Sequence, residues 1–464
     1  MSVKFRKKEL SFGYALFIIA AILGIIIILG AVFQFRMQAM FLLAWLLAIL
    51  LCLPLGFTYD ELQKGMFDFM PRCLLPVVFM ITIGGLIGVW NASGTIAYVT
   101  YLGLNLINPN AFLVTSFLIS LAFALVTGTS WGTVGSIGIA LFGVGLGMNF
   151  NPLIAASAII SGAYIGDGLS PMSDTTNIIS GSLNIDLFDH VRCLMKIGIP
   201  TIIISAIIYL IMGLSGTGGD ISTSEVPTIM EGIAANFNLG IITLLPIILV
   251  LVLLFIKVKT IPALLCGIAS GILISTFHQG WALKDSIQFM WAGFSMNSGN
   301  SFIDSLFNRG GMTSVTSTVV MVIMAFGLFG ILNTAGVLDK VVEPLVHRIH
   351  SYVGGAVCTL LFGCIANLSS STTFAYLFCC NMLGEVYDKV GLDRKELANA
   401  VMVGCLPLGL WVPWNTNAAT PAASLGIDPG AVAPLLVIPY VYIVVLLVVS
   451  FIKQTRLKNK QDSK

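Results

Sequence analysis

The chain has 464 residues, of which 57% are hydrophobic and only 9% charged, and its formal net charge is +2. A soluble globular domain carries charge on about a quarter of its residues, so this composition excludes one and describes a polytopic protein of the lipid bilayer. It excludes a nucleic-acid binder as well, because the Lys and Arg residues lie scattered between apolar runs instead of clustering on one face.

From the N-terminus, the basic stretch MSVKFRKKEL is followed by about twenty apolar residues without a small-residue cleavage site, which predicts a spanning helix and not a cleaved signal. Further spans are expected so that the set reads 14–33, 37–56, 72–90, 195–214, 237–256, 260–278, 313–333 and 431–452. Segments 111–148 and 353–388 are apolar limbs around a small polar centre, too long for one crossing and short for two, and read as re-entrant hairpins. Segments 150–194 and 397–425 begin as apolar helices and are then broken by Gly, Pro and polar residues. Backbone can turn at membrane depth only where protein or a wet cavity satisfies its N–H and C=O groups, so each interruption marks a lined site.

Counting the broken segments as crossings and the hairpins as non-crossing predicts about ten crossings, with both termini on one side. If that side is the cytoplasm, only Arg36, Lys284 and Arg309 of the 23 Lys and Arg residues face outward, and the 215–236 loop carries Asp220, Glu225 and Glu231 with no base. This bias predicts cytoplasmic termini in a multi-pass protein of the cell membrane. The nine cysteines lie in or beside apolar runs without paired ligand spacing, and read as small buried hydrophobes.

An internal repeat recurs at about 242 residues: GVWNASG at 88–94 matches GILNTAG at 330–336, TGTSWGT at 127–133 falls opposite SSSTTFA at 369–375, and SPMSDTTN at 170–177 opposite VPWNTNAA at 412–419. With about five crossings in each half, the second copy must be inverted relative to the first. The expected organisation is therefore all-α: a first repeat at 1–214, an extracytoplasmic linker at 215–236, and a second repeat at 237–464, each repeat with one hairpin and one broken helix. No nucleotide-binding motif is present, so neither an enzyme nor a primary pump is expected, and no cofactor.

Two hydroxyl clusters, around Thr129 and Ser130 and around Ser370, Ser371 and Thr372, sit at the expected hairpin turns, where Ser, Thr and carbonyl oxygens can replace the hydration shell of a small cation. Close helix packing is the alternative use of such residues. Asp167 and Asp174 are the sharper signal, because a carboxylate at membrane depth costs roughly 2.5 to 3.5 kcal/mol unless it is paired, solvated or loaded with an ion. Asp174, Thr175, Thr176 and Asn177 follow the breaker Pro171, while the second copy has Asn415, Thr416 and Asn417 after Pro413 but no acid. A single ionisable centre that holds either a cation or a proton is the simplest antiport device; helix capping is the competing role for both aspartates. Arg309, in NRGGMTS, either meets an organic anion or snorkels to the interface, and Asn91 and Asn333 cap or line the path.

GAYIGDGLSPMSDTTN at 162–177, with TGTSWGT, LIGVWNASGTI and NRGGMTS, resembles the NhaC family of bacterial Na⁺/H⁺ antiporters, which also contains malate/lactate antiporters coupled to Na⁺ and H⁺. The likeness covers about 60 to 420. Where family members often carry a basic or polar residue after the GD pair, this chain has Gly168. The resemblance implies a secondary transporter of the elevator type, working on Na⁺ and H⁺ with or without a small organic anion or amino acid, and often as a homodimer. It also implies two clamps, one of Thr129 and Ser130 with Asp174 and Thr175, where Na⁺ is expected at Asp174, Thr129 and Ser130, the other of Ser370, Ser371 and Thr372 with Asn415, Thr416 and Asn417.

Overall fold

Helices in this chain begin and end where the sequence supplies caps and breakers. In the computed structural model, which describes residues 8–33, 35–216 and 226–462, every regular element is helical. Among the described residues, nine helices are long and apolar enough to cross a membrane, or up to eleven if each of two sharply bent pairs is one span. That range brackets the expected number of crossings. Both limbs of the first hairpin, Pro109–Thr127 and Ser130–Gly147, are among the nine, so each is by itself long enough to span.

The linker differs from its expectation. Its first part, with Asp220 and Glu225, lies outside the described residues, but the rest forms the helix Val226–Asn236, which meets Ile241–Phe255 at a 91° bend. The run is too short and too interrupted by Asn236, Asn238 and Gly240 to read as helix from hydropathy alone.

The internal repeat is visible in the backbone itself. Left-handed residues recur in pairs 242 apart: Gly94 with Gly336, Gly128 with Ser370, Asn149 with Gly391, and Asn184 with Gly426. Helix N-caps keep the same spacing, pairing Thr129 with Ser371, Asn151 with Asp393, Ser173 with Asn415, and Asp186 with Asp428. Turn chemistry is thus duplicated where side-chain identity is not. Side-chain oxygens cap these helices by accepting the first free N–H groups, and a left-handed residue closes the carbonyl end, so the duplicated positions are the ones that set where each helix starts and stops.

The two broken helices, Pro152–Leu169 with Asp174–Leu183 and Arg394–Cys405 with Thr416–Leu425, run antiparallel. Near the start of the first, the Ser157 hydroxyl donates to Leu435 O at 2.7 Å, just past the end of the second. At the other end Arg394, the first residue of the second, donates from Nη1 to Leu183 O at 2.9 Å. Asp388 grips the same guanidinium, which holds its carboxyl below the usual carboxylate range, and Lys395 Nζ reaches Asp189 Oδ2 at 2.7 Å.

Burial sorts the helices. In Pro152–Leu169, 89% of the residues are buried, against 33% for Leu187–Leu214, whose Ile199, Ile203, Ile207 and Ile211 form an exposed stripe at helical spacing. A stripe of that kind faces lipid, whereas the broken helix is enclosed by protein. Its neighbour is the outer limb of the first hairpin, Phe112–Thr127. A Cβ on Gly162 would lie 2.1 Å from Phe117 O and one on Gly166 2.3 Å from Leu121 O, so these two glycines let the backbones touch.

Gly162→Leu is therefore expected to cost about 1–3 kcal/mol or more through overpacking. Gly181→Ala, where nothing lies within 4 Å, is expected to be neutral or slightly stabilising. Thermal unfolding of the two purified variants in detergent checks the contrast, and equal midpoints would refute this packing.

Candidate functional site

The first hairpin turns at Gly128, whose left-handed backbone ends the helix Phe112–Thr127. Thr129 caps the helix that follows by accepting Gly132 N–H at 3.1 Å. The next donor, Ser130 N–H, points away from the hairpin and donates to Asp167 Oδ2 at 3.1 Å. The turn also touches the break itself, since a Cβ on Gly128 would lie 2.6 Å from the Met172 carbonyl carbon.

Asp167 comes from the last turn of Pro152–Leu169 and is only 6% exposed. Its second oxygen, Oδ1, is buried and has no hydrogen-bond partner among the described residues, with the Ser173 and Ser130 hydroxyls facing the carboxyl. The carboxylate thus presents one engaged and one free oxygen at the place where hairpin and broken helix meet. Capping does not explain it, because Ser173 caps the outgoing half-helix by accepting Thr175 N–H at 3.1 Å.

The break at 170–173 is closed by its own hydroxyls and amides. Thr176 Oγ1 donates to Ser170 O and Ser173 O at 2.8 and 2.9 Å, and Asn177 Nδ2 donates to Ser173 O at 2.7 Å. These two expected ligands are therefore spent on freed carbonyls. Asp174 is exposed as the first residue of the outgoing half-helix, where a negative charge suits the helix N-terminus, and among the described residues no hydrogen bond joins it to Thr129 or Ser130. Thr175 is half-buried. The structure brings Thr129 and Ser130 to Asp167, with Asp174 set apart from them.

The second clamp is assembled by amides. Ser371 caps the inner limb Thr372–Val390 and Asn415 caps the outgoing half-helix Thr416–Leu425. Asn415 Oδ1 accepts from Thr372 Oγ1 and from Asn417 N–H, both at 2.9 Å, while its Nδ2 donates to Asn367 O at 2.9 Å. Thr416 N–H donates to Ser370 O at 3.0 Å, and Asn417 Nδ2 to Leu406 O at 3.2 Å. All six expected residues lie in one cluster, with Ser371 the half-buried member and Ser370 Oγ buried without a partner.

Three participants escaped the sequence reading. Asn367, which donates to Gly404 O and Cys405 O, was legible as an amide one residue removed from the SSSTT run, with Leu368 between them. Tyr164, fully buried on the first broken helix, donates from its hydroxyl to Asn417 O on the second at 2.6 Å and so joins the two breaks. Tyr376, from the second hairpin, has a buried hydroxyl that faces Thr175 of the first broken helix and lies within electrostatic reach of Asp167 and Tyr164. A tyrosine in an apolar helix reads as packing, and only the fold shows where its hydroxyl goes.

The copies differ at one equivalent position. Gly409 stands 242 residues after Asp167, and a Cβ there would meet Asn367 Oδ1 at 3.1 Å, Asn415 Oδ1 at 3.3 Å and Asn417 Nδ2 at 3.4 Å. Neutral amides occupy in the second copy the space beside which the first copy has a carboxylate.

The model of a family described as the Na⁺/H⁺ antiporter family matches this sequence over residues 7–214 and 162–453. The chain is similar to a malate-2H⁺/Na⁺-lactate antiporter of Bacillus subtilis (strain 168), at 32% identity over 92% of each chain. It is similar also to the Na⁺/H⁺ antiporter NhaC of Alkalihalophilus pseudofirmus, at 30% identity over 91% of each chain. An arginine/ornithine antiporter, ArcD, of Halobacterium salinarum is 29% identical over 91% of this chain and 88% of its own.

Because Asn415 satisfies a hydroxyl, an amide N–H and a carbonyl at once, Asn415→Ala is expected to destabilise the protein by about 2 kcal/mol or more. Asn415→Ser, which installs the cap that Ser173 provides in the first copy, is expected to recover part of the loss. Unfolding midpoints of both variants decide the matter; an alanine variant as stable as the parent would contradict the network.

Proposed function

Since the chain belongs to the Na⁺/H⁺ antiporter family, we propose that it is a secondary transporter exchanging Na⁺ for H⁺, with Asp167 as the group that holds one or the other. The observation that carries this reading is the carboxylate itself: buried, anchored through Oδ2 by Ser130 N–H at the hairpin turn, and free at Oδ1. A charged carboxylate so placed is costly until a cation joins it. Na⁺ at Oδ1, completed by carbonyl and hydroxyl oxygens of the turn at Thr129 and Ser130, supplies the missing charge. Protonation removes the same charge and releases the ion, so the two ligands exclude one another. Asp174, exposed on the outgoing half-helix and within electrostatic reach of this carboxylate, attracts cations toward it.

The amide clamp of Ser370, Ser371, Thr372, Asn415, Thr416 and Asn417 holds the second hairpin to the second break without a second titrating group. Antiparallel broken helices and caps in one 242-residue register support two inverted repeats, 1–214 and 237–464. On this reading the hairpins and broken helices move together as an elevator against the remaining helices, both termini face the cytoplasm, and two copies assemble as a homodimer.

A second reading adds an organic solute. Relatives named for malate and lactate or for arginine and ornithine exchange support it, as does a second clamp rich in neutral hydrogen-bonding groups.

In proteoliposomes carrying a pH dye, an imposed Na⁺ gradient is expected to drive proton movement without added solute, with half-saturating Na⁺ rising as pH falls because protons occupy the same oxygen. Asp167→Asn is expected to lower this activity at least 100-fold with insertion intact. Asp174→Asn is expected to raise half-saturating Na⁺ several-fold at an unchanged maximal rate. Proton movement that appears only with malate, lactate or an amino acid supplied would favour the second reading, and wild-type Na⁺ activation in Asp167→Asn would remove Asp167 from the role.

A further inference from the structure

A cavity of about 380 Å³ lies between the loops at 292–294 and 308–310 and the end of the second broken helix, away from the Asp167 clamp. Arg309 is the one charged residue that lines it; Asn308, Ser314, Thr318 and Ser424 add polar groups, and Ile87, Val315 and Ile427 add apolar wall. The guanidinium forms no ion pair or hydrogen bond among the described residues, and its Nε is buried without a partner. It lies over the face of Phe142, 5.2 Å from the ring centroid. An arginine stays protonated in proteins, and a charge withdrawn from bulk water without a counter-ion is costly.

The surrounding backbone is built to hold that side chain in place. Gly310 and Gly311 both have left-handed φ, and a Cβ on either would collide with backbone, at 2.5 Å from Gly88 N and 2.2 Å from Gly293 N. Gly311 N–H donates to Gly84 O at 2.7 Å, and Arg309 O accepts from Phe294 N–H at 3.3 Å. A loop this tightly threaded gives the guanidinium no route to snorkel away.

We infer that this cavity is a binding site for a small organic carboxylate, held by the Arg309 guanidinium. A planar fork of N–H donors matches a carboxylate, and the apolar wall suits the carbon body that a hydrated inorganic anion lacks. The site joins three parts of the molecule: Phe142 belongs to the first hairpin, Ser424 and Ile427 to the end of the second broken helix, and Arg309 to the loop that packs on Leu74–Ala92. A ligand here therefore touches the clamps' own elements without touching Asp167. The inference deepens the second reading above, in which an organic solute takes part.

A structural role is the rival: the guanidinium faces the carbonyl end of Thr416–Leu425, where any cation is favourable. Lysine would serve that role but cannot reproduce the fork. The test uses the purified full chain in detergent at constant Na⁺, pH and ionic strength, with acetate, lactate, malate, inorganic phosphate and chloride as probes and thermal unfolding as readout. Lactate or malate is expected to raise the midpoint in a saturable way while phosphate and chloride do not. Binding is expected to weaken at least 10-fold in both Arg309→Gln and Arg309→Lys and to persist in Asp167→Asn. Binding is read without transport, so a failure of Na⁺/H⁺ exchange leaves this result standing, and the converse holds. Equal shifts in wild type and Arg309→Lys, equal shifts by phosphate and lactate, or no shift by any carboxylate would each overturn the proposal; if Arg309→Gln fails to fold, the Arg309→Lys comparison decides.

Discussion

Every feature of this molecule that bears on function follows from one constraint: at membrane depth a backbone N–H or C=O that leaves its helix must find a partner in the protein. The chain breaks two helices and turns two hairpins, and at each of these places it supplies the partners locally. Ser173, Thr176 and Asn177 close the first break, and Asn415, Asn417 and Asn367 the second, with Thr129 and Ser371 capping the helices that leave the turns. Many of the hydroxyls and amides that look like ion ligands are consumed in this way. What remains near the breaks after that accounting, among the described residues, is the Asp167 Oδ1 oxygen in the first copy and, around the second, the hydroxyls of Ser370, Tyr376 and Thr420, Asn399 Oδ1 and Trp411 Nε1. A remainder of this kind is a better guide to function than the polar cluster as a whole.

The duplication makes the remainder asymmetric. The two copies share caps and left-handed positions at 242 residues, yet one copy carries a carboxylate where the other has Gly409 ringed by amides. Equivalent backbones with unequal charge divide the work on the proposed function: the amide cluster binds its hairpin with neutral hydrogen bonds that pH does not alter, while the carboxylate is the group proposed to respond to cations and protons. The price of equivalence shows at Ser370, which adopts the left-handed backbone that Gly128 adopts freely, at a cost of about 1–2 kcal/mol for a residue with a Cβ. Retaining that strain keeps Ser370 O aligned to accept Thr416 N–H, the bond that ties the second turn to the second break.

Much of this was legible in the residues. Apolar runs located the spans, and the pairing of SPMSDTTN with VPWNTNAA located both breaks and their register, because breakers and caps act locally and their meaning does not depend on the fold. The grouping of the six amide-clamp residues came from the family resemblance and not from local rules, and the structure brings those six together in one cluster. What the sequence left hidden is whatever depends on direction in space. Asp167 and Asp174 differ by seven positions and one break, which turns one into the protein and the other out of it. Tyr164 sits in a helix that reads as packing throughout, and its bond to Asn417 O exists only because the two broken helices run antiparallel. The helix Val226–Asn236 stayed hidden because its amphipathic run is short and ends in Asn and Gly.

Antiparallel packing also explains how one carboxylate can report to the whole interior. Tyr164 lies one helical turn before Asp167 on the same face, and it is bonded to the second break, so a shift of the Asp167 turn acts on Asn417 through a rigid phenol and not through a flexible chain. At the far ends of the same helices, Ser157 with Leu435 and Arg394 with Leu183 pin the pair, which confines any such shift to the unwound middle. Gly162 and Gly166 carry the hairpin limb against this helix at backbone contact, so the limb follows the helix. On the proposed function, loading or unloading the Asp167 charge would act on hairpin and break as one body, which is the physical condition for coupling an ion's arrival to a movement.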